Sequence, residues 1–158
     1  MVEQPFNLPL FLITPYYYIV MIVGGPNARK DYHYNETEEL FYQLEGNITV
    51  RIQEDGVSRD IQLGPGDMFL CPPKVPHSPV RTEGSIGLVI ERTRAGKGFT
   101  DGLLWFCEKC NHELHADYFE LHDIEKDFLP RFKNYYSNED LRTCKKCGHV
   151  MESDPRFT

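Results

Sequence analysis

The sequence predicts an all-β protein, an antiparallel β-barrel or jelly roll, followed by a small metal-stapled module. Three observations predict it. Between Tyr16 and Arg92, short β-rich runs succeed one another between turn-forming residues, and that stretch shows no convincing helical periodicity. After Gly96-Lys97-Gly98 the texture changes, and two Cys-x-x-Cys pairs follow, Cys107/Cys110 and Cys144/Cys147. The division falls at residues 1–98 for the barrel and 99–158 for the module.

Each run is bounded by chemistry that stops a strand. Tyr16 to Val23 is aromatic and β-branched and ends at Gly24-Gly25-Pro26-Asn27. Leu40 to Leu44 ends at Glu45-Gly46-Asn47, and Ile48 to Gln53 alternates until Glu54-Asp55-Gly56, a hairpin turn sequence. Ile61 and Leu63 precede the turn Gly64-Pro65-Gly66-Asp67, Met68 to Leu70 follow it, and Ile86 to Glu91 closes the set. About six strands at this spacing suit a barrel or jelly roll. In the module, Leu103 to Cys107 leads into the first Cys pair and a charged middle follows. Ser137-Asn138-Glu139-Asp140 reads as a helix start capped by the serine, and residues 153–158 read as a frayed tail.

Composition narrows the function. A chain of 158 residues is long enough for one core that buries roughly two-thirds of the unfolded surface. Its formal charge of -7 and pI near 5.3 argue against a nucleic-acid partner and for a small-molecule one. The apolar stretch Leu8 to Val23 is interrupted by Pro9 and Pro15 and lacks a basic leader, so neither a signal peptide nor a membrane span is expected. Paired Cys-x-x-Cys motifs suit a reducing, cytoplasmic setting, where they clamp metals rather than form disulfides. Cys71, before Pro72-Pro73, reads as a small buried hydrophobe.

Candidate metal ligands fall in two loops. His33 taken alone is more often a hydrogen-bonded group than a ligand, and Glu39 alone says less still. The joint pattern says more: His33-x5-Glu39-x6-Gly46 is followed by Gly66-Asp67 through Pro72-Pro73-Lys74-Val75-Pro76-His77. Two imidazoles and one carboxylate suit ferrous iron and leave positions open for substrate and dioxygen, whereas zinc in the same set would serve hydrolysis or structure. Cys107, Cys110, Cys144 and Cys147 instead form two thiolate knuckles about 33 residues apart, able to close a tetrahedral site. A closed set leaves no place for substrate, so its role is read as structural, with iron or zinc inside. His112, His115, His122 and His149 are superfluous to it. Acidic residues outnumber basic ones from Trp105 onward, which disfavours a nucleic-acid-binding zinc ribbon.

The flanking residues add a resemblance. Val23 to His33, Glu38 to Leu44, Pro72 to Arg81 and Gly87 to Arg92, together with the two Cys pairs, look like the 3-hydroxyanthranilate 3,4-dioxygenase family of the cupin superfamily. The likeness spans roughly residues 19 to 152. It implies a cupin-type barrel with a rubredoxin-like four-cysteine module and a cytoplasmic homodimer. It also implies a ferrous dioxygenase that opens 3-hydroxyanthranilate with O2 to 2-amino-3-carboxymuconate semialdehyde, which cyclises to quinolinate on the route from tryptophan and kynurenine to NAD.

By the same resemblance, His33, Glu39 and His77 match the iron ligands and Arg29 the arginine facing dioxygen. Arg81 matches the grip on the substrate carboxylate, and Glu91 a base beside the substrate hydroxyl and amine; Phe41 and Pro79 line the ring pocket. Singly, Arg29 and Arg81 also read as solvated charges, and Glu91 as a strand-end acid paired with Arg92. The departure is the N-terminal arm: nothing in residues 1–15 matches the family's Lys-Pro-Pro-Val-like segment or its pocket asparagine. Two further readings stand beside the main one: a cupin dioxygenase acting on another aminophenol or catechol, and a non-catalytic metal-binding homologue.

Overall fold

The computed structural model of the chain describes residues 11–13, 17–27 and 29–158. The N-terminal arm, residues 1–10 and 14–16, lies outside the described residues, and with it the start of the apolar stretch. The rest is mostly antiparallel sheet. In chain order the elements are β1 (Phe11–Ile13), β2 (Tyr18–Gly24), β3 (Asp31–Asn35), β4 (Glu39–Glu45), β5 (Ile48–Glu54), β6 (Val57–Leu63), β7 (Met68–Cys71), β8 (His77–Arg81) and β9 (Ile86–Arg92). They continue with β10 (Asp101–Phe106), β11 (Glu113–Phe119), α1 (Ile124–Ser137) and α2 (Glu139–Arg142). The sheets are β1-β2-β9-β4-β7 and β11-β10-β3-β8-β5-β6. The all-β expectation therefore holds. No described helix is long and apolar enough to cross a membrane.

The chain divides into two compact units, residues 1–30 with 35–93 and residues 31–34 with 94–158. In the first, alternation along β4 and β9 sends every second side chain inward. On β4, Glu39, Phe41 and Gln43 are buried, and on β9, Gly87, Val89 and Glu91. Met21, Val23, Phe41, Ile48, Val50, Ile52, Leu63, Cys71 and Val89 make the core cluster. The β5–β6 hairpin turns on Asp55 and Gly56, both at positive φ (53° and 76°), the geometry a two-residue turn demands.

Two strands of the described structure have no β-like sequence. β3 reads Asp-Tyr-His-Tyr-Asn, and β8 contains Pro79, a residue that cannot donate to a ladder. β8 pairs with β5 from Ile48↔Arg81 to Ile52↔His77. Asn27 adds to this: its Nδ2 donates to the Pro79 carbonyl (2.8 Å) and its Oδ1 accepts from the Arg81 N–H (2.8 Å).

The second unit packs aromatic rings against β10, whose residues Asp101 to Trp105 are all buried. Trp105 stacks on Tyr135 at 4.1 Å, and Phe132, Tyr136 and Phe157 surround them. Phe128, Phe132, Tyr135 and Tyr136 recur at the spacing of one helix face, which is why the charged middle folds as α1. Two details correct the sequence reading. Ser137 is the last residue of α1, its Oγ donating to the Lys133 carbonyl (2.6 Å), and the cap of α2 is Asn138, which accepts from the Asp140 N–H. The tail is not frayed either: Phe157 is buried and stacks on Phe132 (4.9 Å) and Tyr136 (5.4 Å), and Ser153 Oγ donates to the Tyr136 carbonyl (2.8 Å). Apolar area at the terminus outweighs the entropy of ordering it.

Asn27→Ala is expected to destabilise the fold by roughly 2 to 5 kcal/mol, because it leaves one buried carbonyl and one buried N–H unsatisfied; urea unfolding measures it. At the start of α1, Asp127 accepts from the N–H groups of His122 (2.7 Å) and Asp123 (2.8 Å). Its slight burial pushes the carboxyl up, but those two N–H groups, then His122 and Arg131, hold it below its ordinary value. A depressed pKa contributes stability that is complete above the unfolded value of about 3.9 and is lost as pH falls through the lower folded one. Urea unfolding of Asp127→Asn should accordingly show a flatter fall in stability below about pH 4 than the wild type.

Candidate metal-centred active site

The register of β4 with β9 places Glu39 directly opposite Glu91. Glu39 is 6 % exposed and Glu91 3 %, so two inward carboxylates share one rung of the sheet. Like charges directly opposite repel, and burial denies them water. This rung calls for cations. His77 supplies one partner: its Nε2 lies 3.0 Å from Glu39 Oε2. Burial pushes the His77 imidazole down, yet Glu39 and Cys71 raise it well above its ordinary value. Its Nδ1 lies 3.0 Å from the Val75 carbonyl, which turns Nε2 toward Glu39. Asn35 donates to Glu39 Oε2 (3.2 Å) while its own Oδ1 accepts from the Thr37 N–H (3.1 Å), an Asx turn that aims the carboxylate.

His33, Glu39 and His77 each offer one ligand atom, and all three atoms lie within 4.8 Å of one another. Glu39 opens β4, as a glutamate at a strand's start, while the loop placement of the histidines is corrected: His33 sits mid-strand in β3 and His77 opens β8. Three buried donors, two nitrogen and one oxygen, fit an open divalent site of the ferrous or zinc type.

Arg81 is buried at 2 % exposure, with Nη1 3.5 Å from Gln43 Oε1. Burial lowers its guanidinium to about 10, Glu39 pulls it back up and Arg29 pushes it down, which puts Arg29, Glu39 and Arg81 in one field. Gln43 donates to the carbonyls of Glu45 (2.6 Å) and Gly46 (3.3 Å), so its amide oxygen must face Arg81. Gly87 leaves room for both, since a Cβ there would lie 2.7 Å from Arg81 Nη1 and 2.9 Å from Gln43 Oε1. Phe41, 1 % exposed, meets the His77 ring edge-to-face at 5.7 Å, and Pro79 is buried in β8.

The second cluster is Cys107, Cys110, Cys144 and Cys147, again with ligand atoms within 4.8 Å of one another. The sulfurs of Cys107 and Cys147, and of Cys110 and Cys144, lie 3.6 Å apart, close to the roughly 3.8 Å edge of a tetrahedron with 2.3 Å metal–sulfur bonds. Both knuckles have one backbone design. Cys107 N–H donates to the His112 carbonyl and Asn111 N–H to the Cys107 carbonyl, while Cys144 N–H donates to the His149 carbonyl and Gly148 N–H to the Cys144 carbonyl. Asn111 and Gly148 take the left-handed turn, at φ 56° and 73°. Burial pushes the Cys144 thiol up, but the N–H groups of Cys147 and Lys146 aimed at its sulfur, with Cys110 and Cys147, bring it down to about 6. A thiol so disposed is readily a thiolate ligand. His112 and His149 serve through their backbones.

Residues that spacing did not mark hold these groups in place. Asn35 sits inside the His33–Glu39 motif and could have been read as an Asx turn; Asn27, Gln43, Arg94 and Asp101 carry no local signal.

Fold and donor sets together define a mostly antiparallel β protein with two clusters that could each hold a metal ion, one of two histidines and a glutamate and one of four cysteines. The profile of the 3-hydroxyanthranilic acid dioxygenase family matches residues 9–136, and the chain belongs to that family. A Xanthomonas campestris protein named 3-hydroxyanthranilate 3,4-dioxygenase is 54% identical over 140 residues, 89% of this chain and 79% of its own length. A Bacillus thuringiensis protein of the same name is 43% identical over 138 residues, 87% of this chain and 76% of its own length. Among solved structures, a cupin-2 domain containing protein from Shewanella frigidimarina aligns over 56% of this chain and 85% of its own, with TM-score 0.45 and 22% identity.

Cys144→Ala is expected to remove about one equivalent of tightly held metal per chain, because three thiolates no longer close the tetrahedron; metal analysis after dialysis against a mild chelator measures it.

Proposed function

We propose that this chain is a dioxygenase that opens the ring of 3-hydroxyanthranilate with O2, giving 2-amino-3-carboxymuconate semialdehyde. The observation that carries the reading is the shared rung of Glu39 and Glu91. The chemistry needs one carboxylate on the metal and a second one beside the substrate, and relatives of this chain bear the enzyme's name. His33, Glu39 and His77 would hold iron, which when bound would supply the one-electron steps that let a spin-paired substrate react with triplet dioxygen.

The chain's own residues do the rest. Glu91, buried and acidic, takes the proton of the substrate hydroxyl as general base. Arg81 binds the ring carboxylate, for which a buried planar fork is suited. Arg29 faces the negative charge that develops on dioxygen. Phe41 and Pro79 bound the ring and keep water out. The barrel of residues 1–98 carries this chemistry, while the module of residues 99–158 is stapled by iron or zinc at its four cysteines. The product feeds quinolinate and NAD formation from the kynurenine route, and the protein works in the cytoplasm as a homodimer.

Anaerobic loading with Fe(II), followed by 3-hydroxyanthranilate and air, tests the reading. Oxygen uptake matched by the product's near-visible absorbance is expected; folded, iron-loaded protein that turns over no 3-hydroxyanthranilate would sink it. Arg81→Ala should weaken substrate binding by on the order of 2 to 5 kcal/mol and leave iron content unchanged, measured by substrate titration under argon.

A further inference from the structure

The β3 histidine meets a second carboxylate that the chemistry above leaves unused. Asp101, the first residue of β10, is 0 % exposed, and its Oδ1 lies 2.9 Å from His33 Nε2. Arg94, 2 % exposed, binds the same carboxylate through Nε, 3.0 Å from each of its oxygens. Phe128 packs on the His33 ring at 5.6 Å. One edge and one face of the imidazole are therefore fixed by buried groups.

We propose that Asp101, clamped by Arg94, is a positioning residue that holds His33 as the tautomer protonated on Nε2 and so presents Nδ1 to the catalytic metal. The reasoning is one of donors and acceptors. A carboxylate paired with a guanidinium only accepts, so the ring nitrogen beside it carries the hydrogen. The lone pair of a neutral imidazole then resides on the other nitrogen, and only a lone pair can bind a cation. His77 is set the opposite way. Its Nδ1 faces the Val75 carbonyl, another pure acceptor, which leaves Nε2 for the ion. Two histidines of one site thus bind through different nitrogens, each selected by the acceptor behind it. Arg94 spreads two contacts over the carboxylate, so Asp101 cannot rotate away from the ring, and it offsets a negative charge that burial would otherwise make costly.

The inference rests on the reading of His33, Glu39 and His77 as a metal site, and the experiment separates the two. Protein labelled with 15N at histidine and loaded with Zn(II) is examined by long-range 1H–15N correlation. His33 is expected to carry its hydrogen on Nε2 and His77 on Nδ1; a His33 protonated on Nδ1 overturns the proposal in wild-type protein, with no variant needed. In parallel, protein whose four-cysteine site is filled with zinc is titrated with Mn(II) and followed by electron paramagnetic resonance. Asp101→Ala should weaken Mn(II) binding by roughly 10- to 100-fold. Because that variant leaves Arg94 buried without its carboxylate, the double variant Arg94→Met/Asp101→Leu is measured beside it. This replaces the ion pair by apolar volume, keeps the fold by its thermal melt, and should show the same loss. Wild-type affinity in the folded double variant overturns the positioning role. Failure of wild-type protein to take up Mn(II) or Zn(II) outside the four cysteines would remove the metal-site reading itself.

Discussion

Ionisable side chains shut inside sheet are the constraint on which the rest of this molecule depends, because each costs several kcal/mol unless a partner of opposite charge or a hydrogen-bonding cradle offsets it. Glu39 and Glu91 are the sharpest instance. Strand register forces them onto one rung, and their surroundings answer: His77 against Glu39, Asn35 on its second contact, and Arg81 with Arg29 in the same field. The next inward rung is apolar, with Phe41 opposite Val89 and Val89 in turn paired with Met21. Below that, Gln43 and Gly87 make the slot in which the Arg81 guanidinium lies. Charge, apolar seal and amide anchor alternate along β4 with the two-residue period of the strand.

The two metal-binding sets follow opposite rules. The four cysteines are soft donors whose ligand atoms lie close together, and backbone N–H groups are aimed at the Cys144 sulfur, so the set could close around one ion. His33, Glu39 and His77 are three donors of two kinds, aimed by Asp101, Asn35 and the Val75 carbonyl. An incomplete shell of hard and borderline donors leaves positions for reactants. Softness and shell count together keep the two sites from exchanging roles.

Elements whose stability is local were legible. β2, β4, β5, β6, β7 and β9 follow apolar alternation and their turns, and Asp55-Gly56 marks its hairpin because positive φ favours those residues. β3 and β8 were not legible as strands. Their polar residues and Pro79 argue against sheet, and β8 is held by its ladder with β5 and by Asn27, more than fifty residues away in the chain. Helix α1 hid behind its charged face although its aromatics kept helical spacing, and the terminal Phe157 became core only through Phe132 and Tyr136. Roles for the five flanking positions Arg29, Phe41, Pro79, Arg81 and Glu91 came from resemblance to a family, whereas His33, Glu39 and His77 were marked by their joint spacing.

By itself, the sequence determined the donor types and the parts whose geometry is closed within a few residues. The Cys-x-x-Cys knuckles, the Asn35–Thr37 turn and the inward alternation of β4 and β9 are of this kind, since each depends only on backbone period and short-range hydrogen bonds. Tertiary structure decided which of those residues meet. Glu39 faces Glu91 because β4 and β9 pair in one register and not the next, and a slip of one residue in β4 would turn Glu39 outward and break the pair. His33 finds Asp101 across 68 residues because burial left one carboxylate, held by Arg94, at the edge of its ring. Such meetings have no local signal, for they are fixed by the packing of strands distant in the chain and by the cost of leaving a buried charge alone.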